Sequence, residues 1–113
     1  MAAFADPSIQ GIVSTIGGDD SIRLLPFLDL DLIRDYPKVF LGYSDSTATH
    51  FACAKAGLIS FYGPSIVAGF GENGGLFRYM ASSVRRILFS REPAGVIAPN
   101  QDGPCERLDW SPP

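Results

Sequence analysis

The chain has 113 residues, 46% apolar and only 19% charged, enough for one domain with a buried core and too hydrophobic for wholesale disorder. Its net charge of −3 comes with nine basic residues spread along the chain, which leaves no electrostatic footprint for nucleic acid or an anionic membrane. Charges, Gly or Pro interrupt every apolar run before the ~20 residues that span a bilayer, and Met1 to Asp6 lacks the regions of a signal peptide, so a soluble cytoplasmic protein is expected.

In chain order, Met1 to Asp6 reads as the end of a helix. Gly11-Ile12-Val13-Ser14-Thr15-Ile16, closed by Gly17-Gly18, is a short β-branched apolar run that predicts a buried, central strand of a parallel sheet. Asp19, Asp20 and Ser21 offer N-caps to a helix carrying Ile22, Leu24, Leu25 and Leu28, which Pro26 should shorten or break. A second short helix, Leu30 to Asp35, should stop before Pro37.

Lys38 to Tyr43 is the next buried-strand candidate. It runs into Ser44-Asp45-Ser46-Thr47, rich in capping side chains, so a helix should begin there, with Phe51, Ala52, Ala54 and Leu58 at helical spacing and Gly57 as terminator. Leu58 to Tyr62 predicts a third strand ended by Gly63-Pro64, and Ser65 to Gly75 a glycine-rich loop. Leu76 to Phe89 carries apolar residues at helical intervals and predicts an amphipathic helix, followed by a short strand over Gly95 to Ala98. Pro99 to Pro113 has the composition of a linker or tail. Cys53 reads as a small core residue; with Cys105 it forms neither a disulfide framework nor a metal site.

Strand and helix alternate at βα spacing, so the fold class is α/β, a mostly parallel sheet with flanking helices, Rossmann- or flavodoxin-like but narrow. Residues 1–98 are expected to be an incomplete domain and 99–113 a linker beyond it.

The strongest chemical signal is Gly42-Tyr43-Ser44-Asp45-Ser46. A serine at a tight turn between a buried strand and a helix is held exposed at the carboxyl end of the sheet, as in a nucleophile elbow. Gly42 permits close approach of the helix, and the first N–H groups of the helix, from Asp45, face any oxyanion formed at Ser44. Ser46 stands where the hydrolase signature has glycine, and a plain N-cap role for Ser44 stays open. The Gly17-Gly18 turn can be half of an oxyanion hole, a phosphate cradle or a tight turn capped by Asp. Asp19, Asp20 and Tyr43, which flank these turns, are candidate pocket residues. His50, the single histidine, is read as a hydrogen-bonded structural residue of the helix rather than a base for Ser44.

The strings Ser14 to Pro26, Gly42 to Phe51, Phe61 to Ser65 and Glu72 to Gly75, in that order and spacing, resemble the LD-carboxypeptidase family of serine peptidases. The Gly17-Gly18-Asp19-Asp20 form and Glu106-Arg107-Leu108-Asp109-Trp110 are more similar to its microcin C immunity branch than to its murein-recycling branch. The resemblance runs over essentially the whole chain. It implies Ser44 as nucleophile, with the N–H of Asp45 and of the Gly17-Gly18 turn as oxyanion hole, and no metal or cofactor. It also implies that the glutamate and histidine completing the triad come from a C-terminal domain that nothing in this sequence matches. The family's first strands have no counterpart before Met1 either, so a piece truncated at both ends is expected. The implied substrates are the L,D-amide bond of a murein tetrapeptide or the amide of a processed peptide-nucleotide antibiotic; homodimerisation of a full-length parent is left open. The rival reading is a non-catalytic α/β module that binds a nucleotide at Gly17-Gly18, or a remnant without activity.

Overall fold

In the computed structural model, which describes residues 1–73 and 75–101, three strands pair in parallel: β1 (Gly11–Val13), β2 (Val39–Gly42) and β3 (Phe61–Tyr62), in that spatial order. The register sets Ile12 beside Phe40 and Leu41 beside Phe61. The helices are α1 (Ala2–Ala5), α2 (Leu30–Asp35), α3 (Thr47–Ala56) and α4 (Arg78–Leu88), so the class is α/β as the alternating pattern predicts.

The predicted central position of β1 is corrected. Among the described residues β1 lies at an edge and β2 in the middle. Burial explains the exchange: Phe40, Leu41 and Gly42 are all buried, whereas Gly11 and Val13 are exposed and Ile12 is half-buried. A parallel strand covered on both faces belongs at the centre. The strands are also shorter than the apolar runs. Ser14 N–H still donates to Leu41 O at 2.9 Å, but the Ser14 and Thr15 carbonyls then accept from Ile66 N–H and Val67 N–H, at 3.0 and 2.9 Å. The glycine-rich loop after β3 thus crosses to the carboxyl end of β1. The strand predicted over Gly95 to Ala98 does not form; Val96 is largely exposed, and Ala98 O accepts from Tyr79 O–H at 2.6 Å instead of entering a ladder.

Helix boundaries follow local chemistry more closely. Asp29 caps α2 by accepting from Leu32 N–H at 2.9 Å, and α2 ends before Pro37 as expected. Gly57 closes α3 with φ 85°, a left-handed conformation that glycine adopts without steric cost. Ser21–Phe27 is a 3-10 helix rather than an α-helix, in keeping with the clash that the Pro26 ring would make with the carbonyl four residues back in an α-helix. Asp20 does not cap it through its side chain as predicted; it pairs with Arg23 at 3.3 Å in solvent.

The core lies on one face of the sheet, where Phe4, Ile33, Phe40, Ala52, Cys53 and Ala56 pack together. Three small residues on α3 let it approach the sheet closely. Cys53 is fully buried, and desolvation pushes its thiol pKa up, in keeping with a core role. On the opposite face Leu41 meets a groove of about 520 Å³ beneath α4, lined also by Tyr62, Met80, Val84 and Ile87. No α4 residue is fully buried. No helix among the described residues is long and apolar enough to cross a membrane.

Phe27, Phe51, Ile59, Phe89 and Val96 are each more than half exposed. With one sheet face underfilled and both edges unpaired among the described residues, the purified chain is expected to self-associate. Light scattering should report species above the monomer mass; a monodisperse, cooperatively unfolding monomer contradicts this.

Candidate active site

Ser44 directly follows β2 and Tyr43, and it is the one described non-glycine residue with positive φ, at 59°. For a serine the left-handed conformation costs about 1–2 kcal/mol, so surrounding contacts must hold it. Ser44 N–H donates to Tyr62 O–H at 3.0 Å, Thr47 O–H to Ser44 O at 2.5 Å, and Ser46 O–H to Tyr43 O at 2.8 Å. Together these bonds close a short 3-10 turn, Ser44–Ser46, ahead of α3. Ser44 itself is exposed.

Backbone approach explains the glycines. A Cβ on Gly42 would collide with Ser14 Oγ and come within 2.6 Å of Ser46 Oγ, so only glycine allows β1, β2 and the turn to meet. A Cβ on Gly17 would lie 2.8 Å from Ser44 Oγ and 3.6 Å from Asp45 N. The Gly17-Gly18 turn therefore stands within reach of the Ser44 hydroxyl, as the sequence predicts. Gly18 faces the Asp45 carboxylate, where a Cβ would sit 3.0 Å from Oδ2. That carboxylate accepts from Ser21 N–H at 3.0 Å, and Asp45 O accepts from Ser21 O–H. Asp45 thereby ties the loop after β1 to the loop after β2. Its own N–H lies in the first helical turn, where no intrahelical acceptor exists.

Two cavities flank the turn. One, of about 290 Å³, is lined by Ser44, Asp45 and Thr47 with Ile22, Ala48 and Phe51. The other, of about 450 Å³, includes Tyr43, Tyr62, Pro64, Glu72 and Met80. Tyr43 thus lines a pocket, whereas Asp19 and Asp20 are exposed and line neither cavity. Among the described residues no three His, Cys, Asp or Glu side chains gather as a metal site.

His50 is used up structurally. Nε2 lies 3.0 Å from Gly42 O and Nδ1 2.8 Å from Ser60 Oγ, while the ring packs edge-on against Phe40 at 4.9 Å. A carbonyl only accepts, so Nε2 carries a proton and donates it to Gly42 O. Both nitrogens fasten α3 to the strand ends, and neither faces Ser44. His50→Ala is expected to cost about 2 kcal/mol, two hydrogen bonds at typical net strength, seen as a lowered urea midpoint at unchanged slope.

Tyr62, which holds the Ser44 backbone and lines the larger cavity, lies in Phe61-Tyr62-Gly63-Pro64, a string that can shape a pocket wall but on sequence grounds reads first as a strand end and turn. Glu72, which lines the same cavity, has no site role legible in Glu72-Asn73-Gly74-Gly75.

Residues 1–63 match the family described as LD-carboxypeptidase N-terminal domain. The chain belongs to the LD-carboxypeptidase family. Its relatives include the microcin C7 self-immunity protein MccF of Escherichia coli, 48% identical over 92 residues that make up 80% of this chain and 26% of that protein. A solved structure of MccF in complex with aspartyl sulfamoyl adenosine is 48% identical with TM-score 0.71, covering 77% of this chain and 26% of that one. The muramoyltetrapeptide carboxypeptidase from Oxalobacter formigenes is 31% identical with TM-score 0.73, covering 80% of this chain and 31% of the other. This LD-carboxypeptidase-family chain thus spans about a quarter of the length of the curated MccF relative. The family match covers 1–63 and the Escherichia coli relative 80% of the chain, while Cys105 and the Glu106 to Trp110 string lie outside the described residues.

Proposed function

We propose that this chain carries the nucleophile half of an amide hydrolase of LD-carboxypeptidase type. Ser44 Oγ attacks the scissile carbonyl, forming an acyl-enzyme and releasing the amine. Backbone N–H groups of Asp45 and the Gly17-Gly18 turn receive the oxyanion, and water then hydrolyses the ester. The general base and its orienting carboxylate come from a C-terminal domain, as the family resemblance implies, because the chain's described histidine has both nitrogens engaged elsewhere. The observation that carries the reading is the left-handed Ser44, held at the strand end with Gly17 packed against its hydroxyl.

The substrate is a small peptide or peptide-nucleotide amide. MccF, solved with aspartyl sulfamoyl adenosine, favours the peptide-nucleotide branch, and the muramoyltetrapeptide carboxypeptidase the murein branch. The test joins the chain into the Escherichia coli relative in place of that protein's matching stretch, so that the rest of that protein is present on both sides. Turnover of an L,D-tetrapeptide or an aminoacyl-adenylate analogue is expected from the joined protein, with a fluorophosphonate mapping to Ser44. Absence of both turnover and labelling rejects the reading.

A further inference from the structure

Between β1 and the 3-10 helix Ser21–Phe27 the chain forms a bridge that carries the Gly17-Gly18 turn, and its two ends are fastened by different means. At the near end the Ser14 and Thr15 carbonyls accept from Ile66 N–H and Val67 N–H. At the far end Ser21 N–H donates to Asp45 Oδ2 at 3.0 Å, and Ser21 O–H donates to the Asp45 carbonyl. Among the described residues Ile16 to Asp19, in between, make no hydrogen bond, and Ile16, Gly18 and Asp19 are exposed. A backbone stretch with neither hydrogen bonds nor burial has little hold on its own φ and ψ, least of all at two successive glycines. Its conformation is therefore set by its two anchors.

The far anchor belongs to the nucleophile's own turn, because Asp45 directly follows Ser44. Gly17 stands against Ser44 Oγ, where a Cβ would come within 2.8 Å, and Gly18 against the Asp45 carboxylate, at 3.0 Å. The serine side of the site is fixed separately, by Tyr62 O–H on the Ser44 N–H and Thr47 O–H on the Ser44 carbonyl. Only Asp45 and Ser21 span the gap between the elbow and the glycine turn. The hydrolytic step uses the Asp45 N–H and leaves its carboxylate without a task. That carboxylate is half-buried, pairs with no cation among the described residues and is spent on a backbone N–H.

We infer that the Asp45 carboxylate and Ser21 are positioning residues for the hydrolytic reaction. Their two hydrogen bonds clamp the Gly17-Gly18 turn at a fixed distance from the carbon that Ser44 attacks, so that breaking them slows the chemical step and leaves substrate binding alone. As a positioning device the clamp rests on the hydrolase reading above; as a contact it is measurable without turnover.

Two samples test it. In the 15N-labelled 113-residue chain, Ser21 N–H should exchange with solvent at least about tenfold more slowly than Gly18 N–H after correction for their intrinsic rates, and Asp45→Ala should erase the difference. In the joined protein, Asp45→Ala should lower kcat about 10²-fold, the loss when one oxyanion donor leaves its place, with KM changed by less than about threefold. Asp45→Asn keeps an oxygen that accepts from Ser21 N–H and should recover about tenfold of that loss. Ser21→Ala, which removes one of the two bonds, should lower kcat about tenfold. The double variant Ser21→Ala/Asp45→Ala should be no more than about twofold slower than Asp45→Ala, since both changes free the same end of the bridge.

A loss confined to KM, an unchanged kcat in Asp45→Ala, an Asp45→Asn protein as slow as Asp45→Ala, multiplied losses in the double variant, or an unprotected Ser21 N–H in the wild-type chain would each overturn the inference. The wild-type Ser21 amide and the Ser21→Ala rate are read with Asp45 intact, so a misfolded Asp45→Ala protein does not rescue it. A joined wild-type protein with neither turnover nor fluorophosphonate labelling of Ser44 rejects the hydrolase reading and the positioning role with it, whereas the outcomes above defeat the clamp while turnover stands.

Discussion

The joined protein carrying Ser44→Ala is expected to lose turnover by at least about 10³-fold, and the unjoined chain to show none above background in either form. The first figure follows from the chemistry: removing a serine nucleophile leaves only what oxyanion stabilisation and binding contribute, and such losses run to about 10³ or far more. The second follows from geometry. A general base must sit within about 3 Å of the proton it takes, and His50 instead spends Nε2 on Gly42 O and Nδ1 on Ser60 Oγ. Asp45, the neighbouring carboxylate, is tied to Ser21 N–H and does not orient that imidazole. Assays of both proteins on an L,D-tetrapeptide and an aminoacyl-adenylate analogue decide the matter. Turnover by the unjoined chain that disappears in His50→Ala would show that the base had been assigned to the wrong part of the protein.

Gly42→Ala should be the most damaging single methyl addition to the fold. The new Cβ would collide with Ser14 Oγ and lie 2.6 Å from Ser46 Oγ, at a buried position on the central strand. Ser46 Oγ is committed to Tyr43 O. Ser14 Oγ has no hydrogen-bond partner to lose, but Ser14 Cβ, 2.9 Å from the new methyl, is held by the backbone bonds to Leu41 O and Ile66 N–H and cannot turn away. Overpacking in a close-fitted interior costs about 1–3 kcal/mol, and a clash against strand ends on both sides belongs at the upper end of that range. A 3 kcal/mol loss lowers the melting temperature by about 10 °C in a domain of this size, and calorimetry reads it directly. Ser14→Ala in the same chain should recover part of the loss, because it removes the oxygen that the added methyl meets first. No recovery would mean that the strain lies elsewhere.

What could be read from the sequence was decided within a few residues. Asp29 capping its own helix, Pro37 stopping it, Gly57 turning left-handed at the end of α3 and the α/β alternation are all local chemistry. The elbow was legible for the same reason. A β-branched run, a glycine, a serine and a string of capping side chains imply a strand, a turn and a helix, and Ser44 stands at that turn. Its facing glycines, Gly17 and Gly18, were legible because a parallel sheet sets successive strand ends side by side.

Tertiary structure decided the rest. Whether Gly11 to Ile16 was central or at an edge depended on which strand was covered on both faces, and Phe40-Leu41-Gly42 took that place through contacts with separate helices. Gly95 to Ala98 had strand composition but no neighbour to pair with among the described residues, and a strand exists only by pairing. Tyr62 acquired its position on the Ser44 backbone, and Glu72 its place in the cavity with Tyr43, from 18 and 28 residues beyond Ser44 along the chain, where no periodicity or cap could place them. Chain crossings bring such residues together, and a crossing is set by the summed packing of many side chains rather than by the few residues at the site.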